Sequence, residues 1–389
     1  MSNEHQHIPA GYKPSPLGSI PEDWEVKKLG EVVTVNSGKD YKHLSVGNIP
    51  VYGTGGYMLS VNDKLSDIDA VGIGRKGTID KPQYLRAPFW TVDTLFFLTT
   101  KENYDLRFVF NLSQLVEWKK YSEQTGVPSL TSKSINNIQI AVPPFPEQHR
   151  IVSVLQLWDA AIAKQTELVE KLTLRKRGLM QKLLTGKKRL KGFSGEWKEV
   201  RLGEVAFVIG GGTPNTDISD YWSGDIPWFT PSEIGENKYV NISERTISEK
   251  GLNDSSAKIL PKGTILFTSR ATIGAKAILT TEATTNQGFQ SFVVNNENSN
   301  EFIYYYLDII LNEIKQKASG STFPEVSAES LRKILIKIPD INEQNAIASV
   351  LVNADKEIEL ANKKLARLQE EKKGLMQVLL TGKKRIVKT

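Results

Sequence analysis

Residues 147–190 read EQHRIVSVLQLWDAAIAKQTELVEKLTLRKRGLMQKLLTGKKRL, and the organisation of the whole chain follows from them. Alternating steps of four and three from Ile151 give Leu155, Trp158, Ile162, Gln165, Val169, Leu172, Lys176, Leu179 and Leu183. Only Gln165 and Lys176 interrupt this apolar seam. A 3.5-residue period held over that length predicts a coiled-coil helix, narrower in its stripe than an ordinary surface helix. Pro143-Pro144-Phe145-Pro146 can start such a helix but not continue it. Gly186 suits the left-handed residue that follows a helix, and Lys187, Lys188 and Arg189 suit its negative end.

The stretch recurs 196 residues later. Glu147-Gln148 falls on Glu343-Gln344, Gly178-Leu179-Met180-Gln181 on Gly374-Leu375-Met376-Gln377, and Thr185-Gly186-Lys187-Lys188-Arg189 on Thr381-Gly382-Lys383-Lys384-Arg385; 21 of 44 positions are identical. The second seam is Ile347, Leu351, Ala354, Ile358, Ala361, Leu365, Leu368, Lys372, Leu375 and Leu379, broken only at Lys372. Two seams in one register predict two helices packed on each other. Trp158 matches Ala354, a large residue against a small one. Gly178 and Gly374 each cost a helix about 1 kcal/mol against alanine. They predict either a close approach, of the two helices or of a partner, or a break between helical segments.

The openings of the intervening regions also repeat. Trp24, Leu29, Gly30, Glu31 and Val32 fall on Trp197, Leu202, Gly203, Glu204 and Val205 at an offset of 173, which reaches 196 by Pro128 and Pro324. The chain is a tandem duplication of two modules, the second longer, and not a solenoid. Its expected parts are a leader (1–19), a globular domain (20–146), a helix (147–190), a second globular domain (193–342) and a second helix (343–386). Apolar or β-branched runs at Val71–Ile73, Leu95–Leu98, Thr264–Thr268 and Phe289–Val294 predict strands. Gly53-Thr54-Gly55-Gly56 and Gly210-Gly211-Gly212-Thr213-Pro214 separate such runs. Helical spacing falls at Leu106–Lys120 and Phe302–Gln316, and residues 135–142 and 331–338 read as closing strands. Each globular domain is therefore α+β, a twisted, mainly antiparallel sheet with a few helices.

With 39% hydrophobic and 24% charged residues, the 389-residue chain has the composition of a globular protein. No apolar run is long enough to span a membrane, and no signal-peptide core is present. The absence of cysteine excludes disulfides and thiolate metal sites, and fits a reducing compartment such as the cytoplasm. Of four histidines, His5 and His7 lie in the leader and His43 and His149 stand apart, which argues against a metal site. The net charge is +6, yet residues 147–190 alone carry +6 and residues 343–386 carry +3, so the remainder carries −3. The positive excess lies on the helices, and any hold on a polyanion by the globular domains must come from local patches.

Taken together, these features resemble the specificity subunit of a type I restriction-modification enzyme. The resemblance covers the chain from about Gly11. It rests on the openings Ile20-Pro21-Glu22-Asp23-Trp24 to Leu29-Gly30 and Phe193-Ser194-Gly195-Glu196-Trp197 to Leu202-Gly203, the Glu-Gln helix starts and the two Gly-Leu-Met-Gln…Leu-Leu-Thr-Gly-Lys-Lys-Arg ends. It implies two target recognition domains, each reading half of a split, asymmetric site in double-stranded DNA. They would be separated by an antiparallel coiled coil with pseudo-twofold symmetry that docks two methyltransferase subunits. Adenine methylation and ATP-driven cleavage would belong to other chains, with S-adenosylmethionine, ATP and Mg on those methyltransferase and restriction/translocase subunits and no cofactor on this one.

Direct readout of a duplex needs Arg or Lys for guanine, Asn or Gln for adenine, and small hydroxyls, all on loops. The first domain offers Tyr41, Lys42, Arg75, Lys76 and Lys81; the second offers Thr230, Ser232, Arg270, Asn286 and Gln287. Arg75 and Arg270 fall within a residue or two of equivalence. For both, the alternatives are a surface ion pair or a phosphate clamp. Thr125-Gly126 and Ser319-Gly320-Ser321-Thr322 are backbone contacts or turns. Trp222 and Trp228 read as core packing in preference to base stacking, and Trp24 and Trp197 as structural anchors.

Catalytic readings find little support. Glu-x-Lys triplets are too frequent to mark a nuclease, and no Asn/Asp-Pro-Pro-Tyr/Phe loop is present for a methyltransferase. Gly210-Gly211-Gly212-Thr213 lacks the Lys-Ser/Thr of a phosphate loop. The rival of another class is a coiled-coil assembly scaffold whose globular domains bind protein. Steep loss of DNA affinity with salt and preference for one duplex sequence separate the two. A helix of about 40 residues spans roughly 60 Å, against about 34 Å between successive major-groove faces. Inserting one heptad into both helices is therefore expected to change the unread gap between half-sites, as mapped by adenine methylation; an unchanged gap refutes the helices as a ruler.

Overall fold

The structure, a computed structural model, describes residues 8–123, 126–319 and 324–386. They divide into two compact units. The first takes the chain up to Glu167 together with everything from Lys363 onward; the second is Leu168–Asn362. Each unit thus combines one globular domain with part of each long helix.

The long helices are Phe145–Leu183 and Ile341–Leu379, 39 residues each. Both start two residues before the Glu-Gln pairs, and the basic segments follow as turns. Gly186 and Gly382 adopt φ of +69° and +73°, the left-handed ending that the sequence predicts. Lys188 N and Lys384 N reach back to Lys182 O and Val378 O, both at 3.0 Å. Both helices run unbroken through Gly178 and Gly374, where an added Cβ would meet nothing within 4 Å. Neither glycine breaks its helix, and neither admits a close approach among the described residues.

Within each unit the helix segments run antiparallel. In the first, Glu147 meets Arg385 and, further along, Asp159 meets Lys372. In the second, Arg175 meets Glu357, Lys176 meets Asp355 and Arg189 meets Glu343. The residues that break the seam are therefore accounted for. Lys372 and Lys176 each find an aspartate on the facing helix at 2.5 Å, and Gln165 is buried. Paired polar residues in a seam fix register. Trp158, beside the Asp159 that pairs with Lys372, is half-buried in the first unit.

In the first unit, strands Val33–Ser37, Leu95–Thr100, Ala70–Gly74 and Gln83–Leu85 form an antiparallel sheet in that order. A second sheet orders Gly56–Val61, Val46–Gly53 and Trp90–Thr91, the last pair parallel. In the second unit, Ala206–Gly210, Gln290–Val294, Ile265–Phe267, Lys276–Leu279 and Tyr239–Val240 make a five-stranded sheet, parallel only at its last pair. Beside it stand Arg245–Ile247, Ile226–Phe229 and Thr284–Thr285. The α+β reading holds, and the four predicted strand runs fall on strands of these sheets, with Thr264, Thr268 and Phe289 just outside them.

Other boundaries differ from expectation. The leader is not loose from Tyr12, because Tyr12–Lys13 pairs with Ile20–Pro21. The closing strands are Gln139–Val142 and Leu335–Ile338, paired with Glu25–Lys28 and Lys198–Arg201. The first two residues of each expected strand instead end a one-turn helix, Ser132–Asn136 and Ala328–Arg332. Thr131 and Ser327 cap them by accepting from Ser134 N and Ser330 N, a local bond that outweighs the alternating pattern. The run 106–120 is α-helical only over Leu106–Ser113, with a 3-10 turn at Trp118–Tyr121. The run 302–316 divides into Asn300–Ile309 and Leu311–Gln316.

The Glu-Gln pairs tie each domain to the helices. Gln148 accepts from Asp105 N at 2.9 Å and donates to Pro143 O; Gln344 accepts from Ser299 N at 2.9 Å and donates to Pro339 O. Asp105 and Ser299 are the N-caps of the helices Leu106–Ser113 and Asn300–Ile309. Glu147 and Glu343, both buried, bind Arg385 and Arg189 through two guanidinium nitrogens each. These carboxylates hold both guanidinium groups firmly protonated, Arg385 with further help from Asp23. Trp24 Nε1 donates to Glu147 at 3.1 Å, while the matching Trp197 Nε1 is buried without a partner. In the second unit the lysines Lys238 and Lys276 add a further tie. Burial pushes both ammonium groups below their ordinary range, while Glu301 and Asp308 oppose that shift. Tyr305, whose hydroxyl meets Asp355, joins the same cluster to the second long helix.

Removing one member of a buried ion pair is costly, whereas an exposed pair contributes little. Glu343→Ala is expected to destabilise the second unit by about 3 kcal/mol, read from urea unfolding. Glu357→Ala, which loses only the half-exposed pair with Arg175, should cost under about 1 kcal/mol.

Candidate nucleic-acid interface

In the first unit, the chain leaves strand Ala70–Gly74 into Arg75-Lys76-Gly77. Arg75 N donates to Thr94 O at 2.8 Å and Gly77 N to Pro128 O at 2.9 Å, while Leu130 N donates back to Arg75 O. These bonds seat both cations over a cleft of about 530 Å³, lined also by Ser37, Phe96, Ser129 and Thr131. Arg75 lies over the Phe96 ring, 5.6 Å from its centroid. Glu123 is engaged by the Thr131 hydroxyl at 2.8 Å. Two exposed cations beside several hydroxyls can hold a phosphate or the edge of a base.

The remaining candidates of this unit lie outside that cleft. Tyr41 packs against the small core around Val51, Phe89 and Trp90, and Lys42 is exposed beside it. Lys81 is exposed, and its neighbour Asp80 pairs with Lys119. Thr125 and Gly320-Ser321-Thr322 lie outside the described residues.

The second unit gathers its candidates into one loop cluster. Thr230 bonds Ser232 through its hydroxyl at 2.9 Å and also engages Glu233. Glu233 in turn accepts from Glu244 N. Asn286 N donates to Phe229 O, and Gln287 meets the Thr213 hydroxyl. Ser269 N donates to Gly288 O, which brings in Arg270. Among the described residues, the Arg270 side chain makes a long contact to Glu325, 3.9 Å between two half-exposed side chains.

The backbone sharpens the match between the units. Leu130 N to Arg75 O corresponds to Val326 N to Ser269 O, and Gly77 N to Pro128 O corresponds to Ala271 N to Pro324 O. The bridge Lys76–Ser129 likewise corresponds to Arg270–Glu325. The counterpart of Arg270 is therefore Lys76, and that of Arg75 is Ser269. Gly77 and Ala271 share a left-handed φ, +86° and +59°, a strained choice for alanine that points to a constrained loop.

Sequence reasoning passed over Arg245. In Ser243-Glu244-Arg245-Thr246 it reads as part of a solvated charged run. Strand pairing of Trp228 with Arg245 brings its guanidinium carbon 3.5 Å from the centroid of the Trp222 ring. No feature of the linear sequence signals that contact. Trp228 is buried, as expected, and donates through Nε1 to Gly212 O at 2.9 Å. Trp222 is partly buried, packed edge-on to Trp228, and covered by Arg245.

Among the described residues, no three His, Asp or Glu side chains gather as metal ligands. No helix of the described residues is long and apolar enough to cross a membrane. The family model of the type I restriction modification DNA specificity domain matches twice, over residues 21–174 and 194–370. Two relatives come from Methanocaldococcus jannaschii. The type I restriction enzyme MjaIX specificity subunit is 42% identical over 173 residues, which is 43% of this chain and 40% of that one. The putative MjaX specificity subunit is 25% identical over 96% of this chain and 97% of its own length. The S subunit of a type I system from M. genitalium shares the fold with a TM-score of 0.57 at 16% identity, covering 92% of this chain and 96% of that one. A chain solved in a study of type I system assembly and conformational transition gives a TM-score of 0.62 at 18% identity over 93% and 99%.

Lys76→Ala is expected to weaken duplex DNA binding evenly across sequences and to reduce the slope of log affinity against log salt by about one. Arg75→Ala should instead cost about 1–3 kcal/mol on preferred sequences alone. Competition binding across a salt series reads both.

Proposed function

The chain belongs to the type I restriction-modification DNA specificity family, and we propose that it is the subunit that selects the DNA site. The globular part of each unit reads one half of a bipartite, asymmetric sequence. The observation that carries this reading is the repetition of one polar, cation-bearing loop, around Lys76 and around Arg270, on two otherwise unequal domains. Related frames with different side chains suit two different half-sites.

The helices fit a role as spacer and docking post. Leu157 in the first unit, and Leu168, Leu174 and Leu360 in the second, are exposed on helical surfaces outside the seam. They favour partner chains, which we assign as two methyltransferase subunits, joined by restriction/translocase subunits. Adenine methylation and ATP-driven cleavage, with their S-adenosylmethionine, ATP and Mg, belong to those partners, and this chain is non-catalytic. Because Arg189 and Arg385 are held by buried glutamates, the exposed cations left at the basic turns are Lys187, Lys188, Lys383 and Lys384. A phosphate contact made there is independent of sequence.

Replacing residues 20–142 by the same segment of another family member should alter one half-site and leave the other, as mapped by sequencing methylated adenine in cells carrying the complex. A change in both halves overturns the modular reading. Binding with no sequence preference and little salt dependence favours the protein-binding scaffold instead.

A further inference from the structure

Arg245 lies 3.5 Å from the Trp222 ring centroid and 5.6 Å from that of Trp228. Both rings are fixed. Trp222 Nε1 donates to Asn215 O at 3.1 Å, Trp228 Nε1 donates to Gly212 O at 2.9 Å, and the two rings meet edge to face at 4.9 Å. An arginine resting on a fixed aromatic surface has already given up much of the rotamer freedom that binding would otherwise remove.

Its charge is not otherwise used. Among the described residues the Arg245 guanidinium has no carboxylate partner. The nearby Glu233 is occupied by Thr230 and by Glu244 N. Strand Ile226–Phe229, which carries Trp228, leads on to Thr230 and Ser232. Trp228 connects to Gly212, next to Thr213, and Thr213 to Gln287. An exposed guanidinium oriented by its ring suits a planar acceptor edge better than a free phosphate. Among the bases, that edge is O6 and N7 of guanine, which the arginine fork matches with two bonds.

The side chain is also particular to the second domain: Trp228 pairs with Arg245 and Thr284 where Val51 pairs with Leu59 and Trp90, so the first domain has Leu59 in the place of Arg245. Matched backbone bonds place Lys39 opposite Gly212 and Arg75 opposite Ser269, so the offset grows from 173 to 194 between them. Most of the extra length of the second domain lies in this interval, and Trp222 and Arg245 lie within it.

We propose that Arg245, stacked on Trp222, is a specificity-determining residue that reads a guanine in the half-site of the second unit. The proposal rests on the DNA-specificity reading above. The test selects binding sites from a randomised duplex library, using the full chain assembled with its methyltransferase subunits, for the wild type, Arg245→Ala and Arg245→Lys. Both variants should lose roughly ten- to hundredfold discrimination at a single G·C pair, with every other position of both half-sites unchanged. An unaltered first half-site shows that a variant is folded and assembled. A wild-type motif that persists in Arg245→Ala, or a uniform loss of affinity with the motif intact, overturns the role of Arg245 alone. Retained discrimination in Arg245→Lys, which keeps the charge but not the fork, overturns the two-bond contact. A wild type that selects no bipartite motif overturns the DNA-specificity reading and this proposal with it.

Discussion

A buried glutamate at the start of one long helix, bound by the arginine that follows the end of the other, is the contact on which each unit depends. Glu343 is fully buried and Glu147 nearly so, and neither position is tolerable for a carboxylate without its guanidinium. Each pair fixes three things at once. It sets the antiparallel register of the helix segments in its unit and places the basic turn beside the opening tryptophan, Trp24 or Trp197. It also leaves the adjacent glutamine to hold the N-cap of a helix in the globular domain. Arg189 additionally donates to Gly195 O, and Arg385 to Asp23, so each arginine is bonded to the start of its domain as well.

Charge in this chain is therefore mostly structural where it looks most functional. The basic ends read in the sequence as cations suited to a helix's negative end, and their arginines are in fact internal ties. The seam lysines, Lys176 and Lys372, are likewise matched to aspartates. In the globular domains the cations set on the candidate loops are local: Arg75 and Lys76 in one, Arg270 and Arg245 in the other. This distribution agrees with globular parts that carry a net negative charge.

The sequence revealed what depends on period and repetition. The seam, its register, the left-handed glycines and the α+β character of the domains all followed from spacing and identity. It revealed less where a short polar bond competes with pattern. Thr131 and Ser327 turn apparent strand into helix, and Tyr12–Lys13 finds a strand partner that no periodicity announces. The candidate site was legible as a set of loop residues but not as a geometry. Which of them share a cleft depends on pairings across the sheets, and those pairings separate Tyr41, Lys42 and Lys81 from Arg75 and Lys76. Arg245 lay beyond linear reading altogether, because its tryptophan platform is set by a strand pairing.

The division of the chain carries a consequence for the order in which it can be completed. The second unit is a single continuous stretch, and its glutamate–arginine pair joins residues 154 apart. The first unit is interrupted, and its pair joins residues 238 apart. During synthesis the second unit can close while the first still waits for its last helical segment and Arg385. Until then, Trp24 and Glu147 lack their cover, and the earliest domain to emerge is the last to be finished. A chain that stops short of its second basic turn is damaged at its beginning, not at the domain beside the break.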